Sequence, residues 1–168
     1  LIVTKNDLII HDEYMQILNP KLAHIQVSIP STDNKILNCT DNAPSFERRV
    51  KAVETLHEAG FDVQVRLSPF LYNHVDFDKL NNIHCEKILV EFLRVNPQIL
   101  KDLRGIVSPQ DFTVNENNYK HLSLSHKLKL LEKVEFEQLS VCEDVTKHYS
   151  YFEENINHNP KDCCNLSI

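Results

Sequence analysis

The sequence predicts an α/β fold in which parallel βα units build half of a barrel wall, and three observations carry that expectation. First, three segments alternate strictly in polarity: Ile25, Val27 and Ile29 oppose His24, Gln26 and Ser28; Val63, Val65 and Leu67 oppose Gln64, Arg66 and Ser68; Ile88, Val90 and Phe92 oppose Leu89 and Glu91. Successive strand side chains point to opposite faces, so each segment is a two-sided strand. Second, a helical pattern separates the first two segments, which makes that pair parallel and lays a helix over the apolar face. Third, the opposite row carries Arg, Glu, Gln, Ser and His. A parallel sheet buried on both faces would read as continuous Val, Ile and Leu. A polar inner wall of this kind faces a ligand.

The elements follow in order. Residues 1–4 read as a strand stopped by Lys5-Asn6-Asp7, and residues 8–18 as a helix closed by Asn19-Pro20, because proline disfavours helix in the residue before it. The strand at 24–29 ends at Pro30, and 31–43 is a polar loop. Pro44-Ser45 opens a helix with Glu47 near its positive end. Val50, Val53, Leu56 and Ala59 give that helix its buried stripe, and Gly60 closes it. The strand at 63–67 runs into Ser68-Pro69; a short helix at 77–82 precedes the strand at 87–93. Asn96-Pro97 caps a helix that stops at Gly105. To this point the pattern is βαβαβαβα. Beyond it, 115–132 reads as one amphipathic helix, 134–141 as a strand or helix extension, and 148–155 as helix. The expected domains are therefore 1–107 and a mostly helical extension at 108–168.

A chain of 168 residues is long enough for one well-cored domain. Its net charge of −6, with no Lys/Arg-rich run, disfavours a broad nucleic-acid-binding face. No apolar run approaches the roughly 18–20 residues of a membrane span. Cys39, Cys85, Cys142, Cys163 and Cys164 are odd in number and scattered, which fits reduced thiols and a cytoplasmic location better than a disulfide framework. Gly60 and Gly105 are the only glycines, and this excludes the Gly-rich loops that cradle phosphates. The chain opens without Met inside an apolar strand pattern, so we expect it to be the C-terminal part of something longer.

Several runs, taken in order, resemble one family. They are Leu1-Ile-Val-Thr-Lys-Asn-Asp, Ile25-Gln-Val-Ser-Ile, Asn42-Ala-Pro-Ser-Phe-Glu-Arg-Arg, Glu58-Ala-Gly-Phe and Val65-Arg-Leu-Ser-Pro. Together they resemble radical S-adenosylmethionine (radical SAM) enzymes, within them the spore photoproduct lyase-like branch. The resemblance covers about the first hundred residues. It implies that 1–4 is the third strand of a six-strand partial (βα)6 TIM-like barrel, and that the strands at 24, 62 and 87 are the fourth to sixth. It also implies two cofactors, S-adenosylmethionine and a [4Fe–4S] cluster, with cleavage of the former yielding a 5′-deoxyadenosyl radical that abstracts hydrogen from a substrate the sequence does not name. The family's Cys-x-x-x-Cys-x-x-Cys loop and its Gly-Gly-Glu-type motif are absent here, so the cluster ligands are expected upstream of Leu1. By itself the chain should not reduce S-adenosylmethionine.

The matching cofactor-binding positions are Ser28 and Arg66, with Lys5 at the end of the first strand. Arg66 offers a planar fork suited to a carboxylate; an internal ion pair with Glu91 is its competing role, and the two are compatible. His24, Gln26, Gln64 and Glu91 are substrate-side or lumen-lining candidates. Arg94 and Asn96 follow the last strand at the barrel mouth, where Asn96 also has a sufficient role as a helix cap. Cys142, Cys163 and Cys164, with His148 and His158, invite a metal reading, although adjacent cysteines suit structural zinc poorly. His57 reads as a surface residue. Two alternatives stay open: a non-catalytic α/β binding module using the same polar face, and a cofactor-free enzyme pairing Glu91 with His24.

Overall fold

A computed structural model of the chain describes residues 1–40, 42–157 and 159. Its centre is a parallel sheet of five strands: β1 (Ile2–Thr4), β2 (His24–Ser28), β3 (Asp62–Phe70), β4 (Lys87–Phe92) and β7 (Gln138–Cys142), in the order β1-β2-β3-β4-β7. The helices are α1 (Asp12–Met15), α2 (Asn34–Thr40), α3 (Phe46–Glu58), α4 (Phe77–Asn81), α5 (Pro97–Asp102), α6 (Leu124–Leu131) and α7 (Thr146–Asn155). An antiparallel hairpin, β5 (Phe112–Glu116) with β6 (Tyr119–Leu122), stands beside the sheet. This is the expected α/β architecture of consecutive parallel βα units.

Register fixes the two faces. Ile25 lies beside Ile2 and Val63, Val65 beside Ile88, and Ile88 beside Leu139. These residues form the apolar face, and α3 packs Val53 and Leu56 into the same core. The opposite face carries the row Val3, Gln26, Gln64, Lys87 and Gln138, then Ser28, Arg66, Leu89 and Ser140. Both rows agree with the alternation read from the sequence.

Four local expectations are corrected. The single helix at 8–18 is a 3-10 turn (Asp7–Ile10) followed by the short α1, because His11 is extended at ψ 145 and interrupts the hydrogen-bond ladder. The loop expected at 31–43 contains α2, which starts where the Asp33 carboxylate accepts from Lys35 N at 2.8 Å and buries Leu37. The helix expected over 115–132 is instead the β5–β6 hairpin plus α6. Asn117 and Asn118 take left-handed φ of 51° and 64°, the backbone a tight hairpin turn needs and asparagine tolerates. Finally, the extension is not mostly helical: β7 joins the main sheet beside β4, so the sheet crosses the boundary expected at 107/108.

The capping signals read correctly. Ser45 accepts from Arg48 N at the start of α3, Asn96 accepts from Ile99 N at the start of α5, and Gly60 and Gly105 adopt φ of +79° and +81°. The outer edge of β7 is covered by Asn157, whose side-chain oxygen accepts from Val141 N at 2.7 Å and whose amide donates to Val141 O at 3.3 Å. No such cover lies along β1 among the described residues. The most exposed large apolar side chains, Leu1, Val3, Leu8, Tyr14, Ile17 and Leu22, all belong to this end of the molecule.

Candidate functional site at the strand ends

In open parallel sheets ligands bind beyond the carboxyl ends of the strands, where the loops diverge. Thr4 is level with Val27 and Ser28 with Arg66. Lys5, one residue past β1, therefore continues the row that runs through Ser28 and Arg66. The three cofactor-binding residues expected from the sequence thus come together on adjacent strands. Lys5 and Ser28 line a cavity of about 280 Å³ with Pro30, Thr40, Ser68 and Leu103.

Ser68 was not among the expected site residues, though its parity with Arg66 marked it as a polar-face residue. It follows Leu67, the partner of Val90, and so stands beside Glu91 on the polar face; between Leu67 and Phe70 the strand carries one extra residue, since Phe70 pairs with Phe92. Such a bulge re-aims the neighbouring side chains.

Arg66 does not project freely into this cavity. Its guanidinium donates to Gln26 Oε1 at 2.8 Å and to Glu91 Oε2 at 2.5 Å, and Ser68 Oγ donates to the same Glu91 oxygen at 2.7 Å. The internal ion pair weighed from the sequence is therefore present. Gln26 and Gln64 are buried behind it. Ser140 Oγ, on the same face, is buried with no hydrogen-bond partner among the described residues.

The remaining candidates separate. His24 sits at the opposite, amino-terminal end of the sheet, its Nδ1 2.5 Å from Asp62 Oδ2, and Lys87 Nζ donates to Asp62 Oδ1 at 2.7 Å. Burial favours the neutral form of Asp62, but the hydrogen bonds from Lys87 and His24 outweigh it and hold its pKa below the ordinary value. His24 is level with Asp62, whereas Glu91 follows Val90, the partner of Leu67. That places them six residues apart along the strands, about 20 Å at roughly 3.3 Å per residue, too far to act as one acid–base pair.

Arg94 pairs with Asp144 and lies 4.9 Å over the Tyr119 ring. Asn96 caps α5 and also borders a larger cleft of about 610 Å³, walled by Val95, Pro97, Leu100, Tyr119 and the hairpin turn.

Among the described residues no group of three His, Cys, Asp or Glu side chains is placed to hold a metal ion. Cys39 is exposed, while Cys85 and Cys142 are half-buried. Burial raises the Cys85 thiol pKa, which makes it a poor ligand at neutral pH. Cys163, Cys164 and His158 lie outside the described residues. His148 is held in another role: its Nδ1 is 3.2 Å from Lys127 Nζ, which is itself fully buried and paired with Glu143. Nothing in the sequence pattern announced that cluster, because its members come from three separate segments. His57 is half-buried rather than a fully exposed surface residue, its ring meeting that of His84 edge-on at 5.7 Å.

No protein-family model matches the sequence, and no curated protein matches it. Solved structures do match the fold. A spore photoproduct lyase complexed with dinucleoside spore photoproduct superposes with a TM-score of 0.53 at 12% identity, over 89% of this chain and 47% of that one. A doubly substituted spore photoproduct lyase with bound AdoMet and dinucleoside spore photoproduct gives 0.50 at 15% identity over the same shares. A spore photoproduct lyase with a single Tyr-to-Phe substitution gives 0.53 at 12% identity. The likeness is one of fold, and the chain spans about half the length of the structures it matches. It falls on the same proteins that the sequence runs resemble.

Proposed function

We propose that this chain is the C-terminal part of a radical SAM enzyme and supplies the wall of the barrel that holds S-adenosylmethionine. The observation that carries the reading is the row Lys5–Ser28–Arg66, level across three adjacent parallel strands, of which Lys5 and Ser28, at the carboxyl ends of β1 and β2, line a small, mostly apolar cavity. The fold likeness to spore photoproduct lyase structures, one of them with bound AdoMet, supports it.

The donor set suits one end of the cofactor. A cavity of about 280 Å³ is slightly below the roughly 300–1,000 Å³ of ordinary ligand pockets, so it receives part of the molecule. In this reading the Lys5 ammonium meets the methionine carboxylate, and the Ser28 and Ser68 hydroxyls serve as donors or acceptors beside it. Arg66, tied to Glu91 and Gln26, acts as a fixed positive charge behind them and keeps Glu91 from repelling the carboxylate. The described residues do not fit a [4Fe–4S] cluster, which needs three or four thiolates at workable geometry, so its ligands belong to polypeptide outside them. When bound, that cluster supplies the electron for cleavage of the cofactor. In this reading residues 1–107 supply four strands of the half-barrel, and the described part of the extension adds β7 as its last strand.

The test is titration of S-adenosylmethionine into the chain by calorimetry, alongside Lys5→Ala and Ser28→Ala. Saturable binding that both variants weaken is the expected result; absence of binding, or binding indifferent to both, overturns it. Anaerobic loading of a longer polypeptide containing this chain with iron and sulfide, followed by assay for 5′-deoxyadenosine, tests the activity.

A second reading, a non-catalytic module binding a small anion on the same polar face, is favoured by the lack of cluster ligands among the described residues. Binding of S-adenosylmethionine no tighter than that of a simple carboxylate would select it.

A further inference from the structure

We propose that Arg48 and Arg49, neighbours in the first turn of α3, are positioning residues that together set the spacing between the strand ends carrying Lys5 and Ser28. The inference rests on the cofactor-site reading above and deepens it. Adjacent helical residues point about 100° apart, since a turn takes 3.6 residues. One helix start can therefore reach two different strands.

Arg48 reaches toward β1. Its Nε donates to Asp7 Oδ2 at 2.7 Å and its Nη2 to Asp7 Oδ1 at 2.8 Å, a bidentate fork. Asp7 is itself buried and lies two residues beyond Lys5; the Arg48 guanidinium holds its carboxyl pKa below the ordinary range. The intervening Asn6 is also fixed, its N donating to Thr4 Oγ1 at 3.0 Å and its side chain accepting from Leu8 N. The path from Thr4 through Lys5 to Asp7 is thus held at both ends.

Arg49 reaches toward β2. It is fully buried, and its Nη1 donates to the backbone carbonyl of Ser28 at 2.9 Å while its Nε donates to that of Pro44 at 2.7 Å. A planar guanidinium can hold two carbonyls from different segments at once; a lysine ammonium on a flexible stem does not reproduce that fork. Charge-assisted hydrogen bonds of this kind are the stronger ones. Ser45 caps the same turn from which both arginines project. The helix start is therefore bonded both to the segment just past β1 and to the end of β2, where Ser28 lines the cavity.

A merely structural role predicts that loss of these contacts lowers stability throughout. A positioning role predicts local loosening and weaker ligand binding in variants that remain folded. The experiment combines amide hydrogen exchange on the whole chain with S-adenosylmethionine titration. The variants are Asp7→Asn, Arg48→Gln, Arg49→Lys and the swap Asp7→Arg/Arg48→Asp. Arg48 has a side chain 60% exposed, so its replacement leaves a folded chain even if Arg49→Lys does not.

Expected are faster exchange confined to residues 3–9 for Asp7→Asn and Arg48→Gln, and to 26–31 for Arg49→Lys. Each folded variant should weaken the cofactor Kd by about tenfold, and the charge swap should recover most of both effects. Unchanged local exchange in Asp7→Asn and Arg48→Gln, or exchange raised evenly across the sheet, overturns the proposal. If the unmodified chain binds no S-adenosylmethionine, the cofactor reading fails, and local exchange alone decides whether the two arginines fix the strand ends.

Discussion

Lys127 is a lysine ammonium with no access to water, and its surroundings explain how it persists there. It donates to Glu143 and to His148 and lies 5.3 Å over the Phe92 ring. Burial pulls its pKa down, against the opposing pull of Glu143. Removing one member of a buried ion pair strands the other, so Glu143→Gln should cost about 3–5 kcal/mol in urea unfolding, whereas joint replacement of Lys127 by Met and Glu143 by Leu should restore most of that stability. His148 adds a pH dependence. Burial, then the charge of Lys127, holds its pKa below 6.5 despite Glu143, while the fields of His121 and Glu116 act in opposite senses. The folded state thus favours neutral imidazole, so this contribution is complete above pH 6.5 and is lost as pH falls through the lowered folded value. Stability should drop as pH falls below about 6.5 in the parent chain and less in His148→Gln, by urea midpoints at a series of pH values. The lowered carboxyls of Asp7 and Asp62 act in a separate window, below their ordinary 3.8. At this scale the sequence offered the Arg66–Glu91 pair as one of two roles for Arg66, while the further partners Gln26 and Ser68 in that network required the fold.

Elements divide by how local their causes are. The strands β2, β3 and β4 were legible through their alternation, and the helices α3 and α5 through a capping residue followed by a stop signal. The β5–β6 hairpin was not, because Leu122, Leu124, Leu128 and Leu131 extend an apparent helical stripe backward over it. The deciding residues are Asn117 and Asn118, whose left-handed backbone turns the chain. Asn118→Gly should leave stability unchanged or slightly raised, and Asn118→Val should cost about 1–2 kcal/mol, by thermal or urea unfolding. Ser45→Ala should cost about 1 kcal/mol through loss of the α3 cap, in the same measurement. α2 was missed for a different reason: polar composition suggested loop, while the helix is secured by a local Asp33 cap and the single buried anchor Leu37.

Across the whole molecule the sheet has two unlike edges. Asn157 covers β7, while β1 presents its edge beside Leu1, Val3, Tyr14 and Ile17. Open apolar edges recruit other strands. The chain alone should therefore associate with rising concentration, and Val3→Lys with Ile17→Lys should abolish this in sedimentation velocity. In the reading proposed above, the same edge receives the remainder of the barrel. No helix among the described residues is long and apolar enough to cross a membrane. The sequence by itself determined the α/β class, the parallel pairing of the strands at 24 and 62 and the polarity of each sheet face, because alternation and caps act within a few residues. Only the tertiary structure decided that β7 joins this sheet, that Gln26 and Ser68 join the Arg66–Glu91 pair, that His24 and Glu91 lie at opposite ends, and that Arg48 and Arg49 tie two strands together. Those contacts join residues far apart in the chain, and their energies depend on burial and register that no local pattern encodes.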